Sequence, residues 1–329
     1  MSYRVTLLAL EGCFASNVAG AIDLFDTANQ VAARQDPSTE PIFTWQVLSP
    51  GGQPVRASSG CMLAVDGPVD GAPPARLIMI PAFGSPRPSQ LAAAIGRYTD
   101  LIPWLRAQHE AGVAIAATCS GSFLLAESGL LDGRRATTSW WLADAFAERY
   151  ANVDLDVTAM VTDNDDLLCS GAGMSHLDLS LHIIERVAGR DIAHQCARYV
   201  VLDDQRRSQA PYIILNHIRS HDPVVVKAEQ WIRANLNRTL RVEDIAEQVA
   251  VSPRTLIRRF KEHIGDTPQA FVRKARIEAG KALLENTNLR LSEIVERLGY
   301  EDASTFRRAF KRYTDLSPRD YRRRFGAGR

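Results

Sequence analysis

The chain has 329 residues, 46% of them apolar, and a net charge of +1, so it can bury a sizeable core and has the length of two domains. No stretch reaches the roughly 18 uninterrupted apolar residues of a membrane helix, and Met1-Ser2-Tyr3-Arg4-Val5 reads as the start of a buried strand, not as an export signal. Cys13, Cys61, Cys119, Cys169 and Cys196 are scattered and lack metal-ligand spacing, which points to a reducing cytoplasm and to no disulfide framework.

The small net charge hides an asymmetry. Residues 1–220 carry 16 Arg and no Lys against 23 acids, whereas residues 221–329 carry 23 Lys and Arg against 15 acids. A basic terminal region on an acidic partner is the expected footprint of nucleic-acid binding by one end of the chain.

From residue 1 to about 190, short aliphatic runs alternate with helical patterns. Tyr3–Leu10, Thr44–Leu48, Leu77–Pro81 and Val113–Thr118 read as strands; Ala19–Arg34, Gln90–Ala111 and Gly121–Ser128 read as helices. Such alternation predicts an α/β layer with a mostly parallel sheet. One strand runs straight into Cys119-Ser120-Gly121-Ser122, the pattern of a nucleophile elbow, where a helix start favours thiolate. The plainer reading is a packed, inert cysteine.

This stretch resembles the PfpI-type superfamily, which shares the class I glutamine amidotransferase-like fold. Gly129-Leu130-Leu131-Asp132-Gly133-Arg134-Arg135-Ala136-Thr137-Thr138 resembles the branch fused to AraC-type DNA-binding domains, often called GlxA-like. Cys169–Leu181, with Ser170, Gly173 and Asp178, resembles a later strand-to-helix loop of that fold. The resemblance implies a flavodoxin-like parallel sheet over residues 1–190. In enzymes of the superfamily a glutamate stands five residues after a glycine; counted from Gly12, that position is Asn17. Ser139 stands where the branch commonly has histidine, and Ala82-Phe83 replaces a Gly-Gly associated with the oxyanion site. His176 is the one histidine whose loop lies beside the site in that fold. No catalytic residue is assigned, because a thiol needs a base and an oxyanion donor. Asn17, Cys119, Ser120, Ser139 and His176 are instead expected to line a pocket for a small-molecule effector, with no cofactor and no metal. The alternatives are a cysteine-dependent hydrolase or deglycase tethered to DNA, and a ligand-independent DNA-binding protein whose first domain only dimerises it.

Residues 191–222 read as a helical connector. Beyond Pro223 the chain is continuously helical and contains a repeat offset by 50 residues: Phe260-Lys261, Thr267-Pro268 and Phe271 recur as Phe310-Lys311, Ser317-Pro318 and Tyr321. Each copy pairs a short amphipathic helix (Val242–Ala250, Leu291–Leu298) with a turn and an arginine-rich helix. Ser252-Pro253 suits an N-cap followed by proline at the first helical position, and Asp302 or Ala303-Ser304 starts the second copy. Leu256/Phe260 and Phe306/Phe310 fall on one face of their helices and predict burial. The opposite faces carry Arg254, Arg258 and Lys261, and Ser304, Thr305, Arg308 and Lys311. Helix, tight turn and basic helix make a helix-turn-helix unit, whose second helix enters the major groove.

Residues 223–326 closely resemble the AraC/XylS family of transcription regulators. Arg276–Leu284 looks like its connector helix, and Gly299-Tyr300 and Ser317-Pro318-Arg319-Asp320-Tyr321-Arg322 look like its signature end. Val295 stands where alanine is usual, and Asp315 where glycine is usual. The resemblance implies base-facing positions at Arg254, Ile257, Arg258, Ser304, Thr305 and Arg308, with Lys261 and Lys311 on phosphates. It implies a double-stranded operator as partner, with a homodimer through the first domain expected and RNA polymerase as a further partner. Regulators of this kind are expected to sense nitrogenous metabolites.

Overall fold

Contacts divide the chain into two compact units, Met1–Gln209 and Ala210–Arg329. The structure, a computed structural model, describes residues 2–84, 88–204, 206–215, 220 and 222–327.

Runs of apolar residues bounded by turns build a seven-stranded sheet in the first unit: β1 (Tyr3–Leu8), β2 (Phe43–Ser49), β3 (Gly67–Pro68), β4 (Leu77–Ile80), β5 (Ala114–Thr118), β6 (Val161–Asp163) and β7 (Leu167–Ser170). Their order is β6-β7-β5-β4-β1-β2-β3. Every neighbouring pair is parallel except β6 and β7 at one edge. Every residue of β4 and β7 is buried, as helices on both faces require. Ala15–Gln35, His176–Ala188 and Arg190–Tyr199 cover one face; Leu101–Glu110, Gly121–Glu127 and Ala143–Arg149 cover the other. The chain first winds outward from β1 to β3, then returns to place β4 on the other side of β1. At such a reversal the loops beyond the strands' carboxyl ends part and leave room for a site.

The four expected strands are present, and the expected helices Ala19–Arg34 and Gly121–Ser128 appear as Ala15–Gln35 and Gly121–Glu127. Gln90–Ala111 is not one helix. It breaks into Pro88–Gly96 and Leu101–Glu110, because the turn between them sends Tyr98 into the core, edge-on to Phe83 at 5.3 Å. The stretch expected as a connector is shared out: Arg190–Tyr199 buries Ile192, Ala193, Cys196 and Ala197 in the first unit, and Ala210–Tyr212 belongs to the second.

The second unit is helical, with two small cores. The first gathers Val225, Ala228, Ile232, Ile245, Leu256, Phe260 and Phe271; the second gathers Ile277, Leu284, Ile294, Leu298, Phe306, Phe310 and Tyr321. The helix Pro268–Asn286 runs through both, giving Phe271, Val272 and Ala275 to one and Ile277 and Leu284 to the other. Gly280 lets this helix approach closely, since a Cβ there would lie 3.2 Å from both Leu298 and Phe306. Among the described residues no helix is long and apolar enough to cross a membrane.

Candidate nucleic-acid interface and the buried Cys119 site

The arginine-rich helices are Pro253–Ile264 and Ala303–Thr314. Ser252 caps the first, its hydroxyl accepting from Thr255 N–H at 3.2 Å; Asp302 caps the second, its carboxylate accepting from Thr305 N–H at 2.8 Å. Each helix stops at a left-handed residue, Gly265 (φ 77°) and Asp315 (φ 57°). That conformation is why glycine is usual at the second position. Leu256, Phe260, Phe306 and Phe310 are all 0% exposed, as the periodicity predicts. Their burial turns the opposite faces outward, and Arg254, Ile257, Arg258, Lys261, Ser304, Thr305, Arg308 and Lys311 all lie in solvent. Ile257 is 37% exposed with its apolar surface uncovered, a group suited to a thymine methyl.

Arg259, on the same helix, does different work. It pairs with Asp222, whose carboxylate also caps Pro223–Ala234 by accepting from Val224 and Val225 N–H at 3.0 and 2.9 Å. Those bonds hold the Asp222 carboxyl below its ordinary range, the Val225 N–H contributing most. The carboxylate is therefore charged at neutral pH and ties the helix Pro253–Ile264 to its neighbour. Glu262 escaped the sequence reading: Arg258 Nη1 donates to both its oxygens, at 2.8 and 3.0 Å. The four-residue spacing was the available signal.

At the carboxyl edge of the sheet, β5 runs into Cys119, which takes a left-handed φ of 57°. This is the strained turn of an elbow, and Gly121 makes it possible: a Cβ there would lie 2.8 Å from the carbonyl oxygens of Ile80 and Pro81. The thiol is buried. It is 6% exposed, and burial pushes it up from the ordinary thiol range, against the hydrogen bonds of Ser139 and Ser120. Burial thus opposes the thiolate that the position at a helix start favours.

Cys119 Sγ meets Ser139 Oγ at 2.6 Å. The Ser120 hydroxyl accepts from Phe83 N–H at 2.9 Å and donates to Phe83 C=O at 2.7 Å. Asn17 Oδ1 accepts from Ala82 N–H at 2.9 Å, and Asn17 Nδ2 donates to Gly173 C=O at 2.9 Å. Both N–H groups of the Ala82-Phe83 turn are therefore occupied by side chains. His176 Nδ1 lies 2.9 Å from both Asn17 Nδ2 and Gly173 O, and burial lowers its proton affinity, against bonds to the Gly173 and Ser16 backbone. Among the described residues His176 and Cys119 share no hydrogen bond, so the expected candidate base does not reach the thiol by that route. The five expected pocket residues thus form two sets, Cys119 with Ser139 and Asn17 with His176, while Ser120 clamps the turn between them. A cavity bordered by Asn17, Thr118, Leu8 and Pro81 measures about 10 Å³, against the several hundred of a typical ligand pocket.

Two further side chains hold this edge. Thr138 Oγ1 donates to Cys119 C=O at 2.8 Å, and buried Gln209 donates to Thr137 Oγ1, Thr138 C=O and Ala159 C=O at 3.1, 2.9 and 3.1 Å. Thr138 ends the motif Gly129–Thr138, whereas nothing in the local sequence marks Gln209. Among the described residues no group of three His, Cys, Asp or Glu side chains could hold a metal ion.

Comparison with known proteins supports both halves. Residues 38–186 match the DJ-1/PfpI family and residues 245–324 match a helix-turn-helix domain family. The HTH-type transcriptional regulator CdhR of Pseudomonas aeruginosa is 30% identical over 97% of this chain and 91% of its own length. The HTH-type transcriptional regulator GlxA of Rhizobium meliloti is 27% identical over 98% of this chain and 97% of its own. A putative transcriptional regulator from Vibrio parahaemolyticus shares the first unit's fold, with a TM-score of 0.53 and 22% identity over 61% of this chain and all of its own. The flavodoxin-like unit, the duplicated helix-turn-helix and these full-length likenesses agree: the chain belongs to the HTH-type transcriptional regulators that join a DJ-1/PfpI domain to an AraC-type DNA-binding domain.

Proposed function

We propose that this regulator is controlled by a small molecule bound, and not turned over, at the Cys119 edge of the first unit. The observation that carries this is how the ancestral machinery is spent. The Cys119 thiol meets a serine hydroxyl, and the turn N–H groups that could face an oxyanion are taken by Asn17 and Ser120. Turnover needs a base within reach and preorganised donors left unoccupied, so this arrangement argues against the tethered hydrolase or deglycase.

An effector can act only if it prefers one of two conformations. Entry would part the Ala82-Phe83 turn from Ser120 and Asn17, and that opened turn is the second state. Arg254, Ile257, Arg258, Ser304, Thr305 and Arg308 read bases, and Lys261 and Lys311 hold phosphates. The regulator works in the cytoplasm as a homodimer through its first unit, with RNA polymerase as a further partner; free Cys61 on the surface suits a reducing compartment.

A thermal-shift screen of the full chain with amino acids and quaternary amines tests the reading. A true effector raises the transition with dose, by about 2.7 kcal/mol at a hundredfold excess over Kd, and Cys119→Ala keeps the response. Turnover at an enzyme rate of about 1–1000 per second, abolished by Cys119→Ala, would overturn it.

A further inference from the structure

Among the positions at which the two reading helices differ, one bears directly on an arginine that both share. Fifty residues separate Arg258 from Arg308, and Glu262 from Arg312. In the first copy Arg258 gives Nη1 to both carboxylate oxygens of Glu262; in the second, Arg308 Nη2 reaches only Thr305 Oγ1, at 3.5 Å. Glu262 thus places a negative charge at the margin of a face otherwise built to meet phosphates.

We propose that Glu262 is a positioning and specificity-determining residue for the first box, an inference that rests on the first reading helix entering DNA. A guanidinium has five N–H donors on a rigid plane. Both bonds to Glu262 use Nη1, and among the described residues Nε and Nη2 of Arg258 have no partner. That remaining edge has the two-pronged geometry that matches guanine O6 and N7. Glu262 therefore fixes the plane from one side while leaving the fork for a base. Its charge also opposes the competing pose, in which Arg258 swings onto a phosphate, since that pose brings carboxylate and phosphate together. Guanine recognition keeps the Glu262 bonds, whereas phosphate contact gives them up. The carboxylate thus lowers non-specific affinity more than specific affinity, which is how a repulsive element produces selectivity. The second copy has Arg312 in its place, so its arginine face is free to take phosphate, and its box is read less sharply.

Selection from a randomised duplex pool, with the full chain and sequencing of the bound fraction, tests this. Wild-type protein should enrich guanine at one position of one box. Glu262→Gln should weaken that enrichment at least threefold and leave the other box unchanged. On duplex of scrambled sequence the same variant should bind more tightly, with the slope of log affinity against log salt steeper by about 0.9. Arg312→Glu, which supplies a carboxylate in the second copy, should sharpen the second box. If Glu262→Gln weakens binding to all sequences equally, or changes no base preference while Arg258→Ala does, the inference is overturned and the reading helix stands. If Arg258→Ala also leaves every preference intact, the reading-helix assignment itself fails.

Discussion

At the Cys119 edge, Asn17, Cys119, Ser120, Ser139 and His176 are all buried, and each is bonded to another of them or to backbone. On the reading helices, Arg254, Arg258, Lys261, Ser304, Thr305, Arg308 and Lys311 stand in solvent. Both sets are polar and both are proposed sites, yet their chemistry is committed differently. Buried, mutually satisfied groups stabilise their own unit, because losing one strands its partner away from water. Exposed groups stand open to solvent, so they can meet a partner without breaking a buried contact. Residue type alone does not distinguish the two conditions; the partners do.

The sharpest way to break this contrast is to remove one group from the committed set. Asn17→Ala takes the acceptor from buried Ala82 N–H and the amide from Gly173 C=O and His176. An orphaned buried group costs about 1–3 kcal/mol, so the first unit should lose about 3 kcal/mol in urea unfolding, with the affinity of the helical unit for DNA unchanged. A loss below about 0.5 kcal/mol, the range of ordinary surface changes, would mean that the edge is held by packing and not by this residue.

The complementary substitutions belong to the other set. Arg258→Ala and Arg308→Ala should each cost about 1–3 kcal/mol of binding and leave the melting temperature in place. The helix Pro268–Asn286 contributes to both cores, so one chain should read two unlike boxes about one turn, or roughly 34 Å, apart. Each arginine variant should then relax one box, while Lys261→Ala and Lys311→Ala weaken all sequences alike. Footprinting on box-scrambled duplexes checks this, and uniform loss from all four would dissolve the two-box reading.

The reading helices were legible because local rules determine them: Ser252-Pro253 caps one, Asp302 caps the other, and the spacing of Leu256 with Phe260 fixes which side faces in. The strands Leu77–Ile80 and Ala114–Thr118 were legible as aliphatic runs. Gly67–Pro68 and Val161–Asp163 were not, since two or three residues at a sheet edge carry no period and exist only through their neighbours. The elbow at Cys119 could be read from its small flanking residues. Its condition could not, because the burial that pushes the thiol up depends on how the folded chain packs around it. Likewise His176 is a candidate base by residue type and becomes a fixed ring only through Asn17, 159 residues away.

That fixed ring gives a pH signature. Burial lowers the His176 proton affinity, so the folded chain binds fewer protons than the unfolded chain just below pH 6.5, the ordinary histidine value. The stabilisation from the neutral ring is complete above that pH and is lost as pH falls towards the folded value. Stability measured from pH 7.5 to 5 should therefore decline more steeply in wild type than in His176→Gln. Equal slopes would mean that the ring accepts a proton where it lies.

The smallest expected effect concerns the residues that end the two reading helices. Gly265 and Asp315 share a left-handed conformation, but only glycine adopts it without a Cβ penalty. Asp315 also places a carboxylate at a helix C-terminus, where the dipole disfavours negative charge by roughly 0.3–1 kcal/mol. Against these, glycine loses more backbone entropy on folding, which returns part of the gain. Asp315→Gly should thus stabilise the helical unit by about 0.5 kcal/mol, and Gly265→Ala should destabilise it by about 1 kcal/mol. Asp315→Asn separates the causes, since it tolerates the left-handed backbone and removes the charge. If the asparagine variant gains as much as the glycine variant, charge is the dominant cost; if it gains nothing, backbone strain is. A loss of stability from both would mean that the aspartate's own interactions outweigh its strain and charge together, and the two helix ends would then be alike in shape but not in cause.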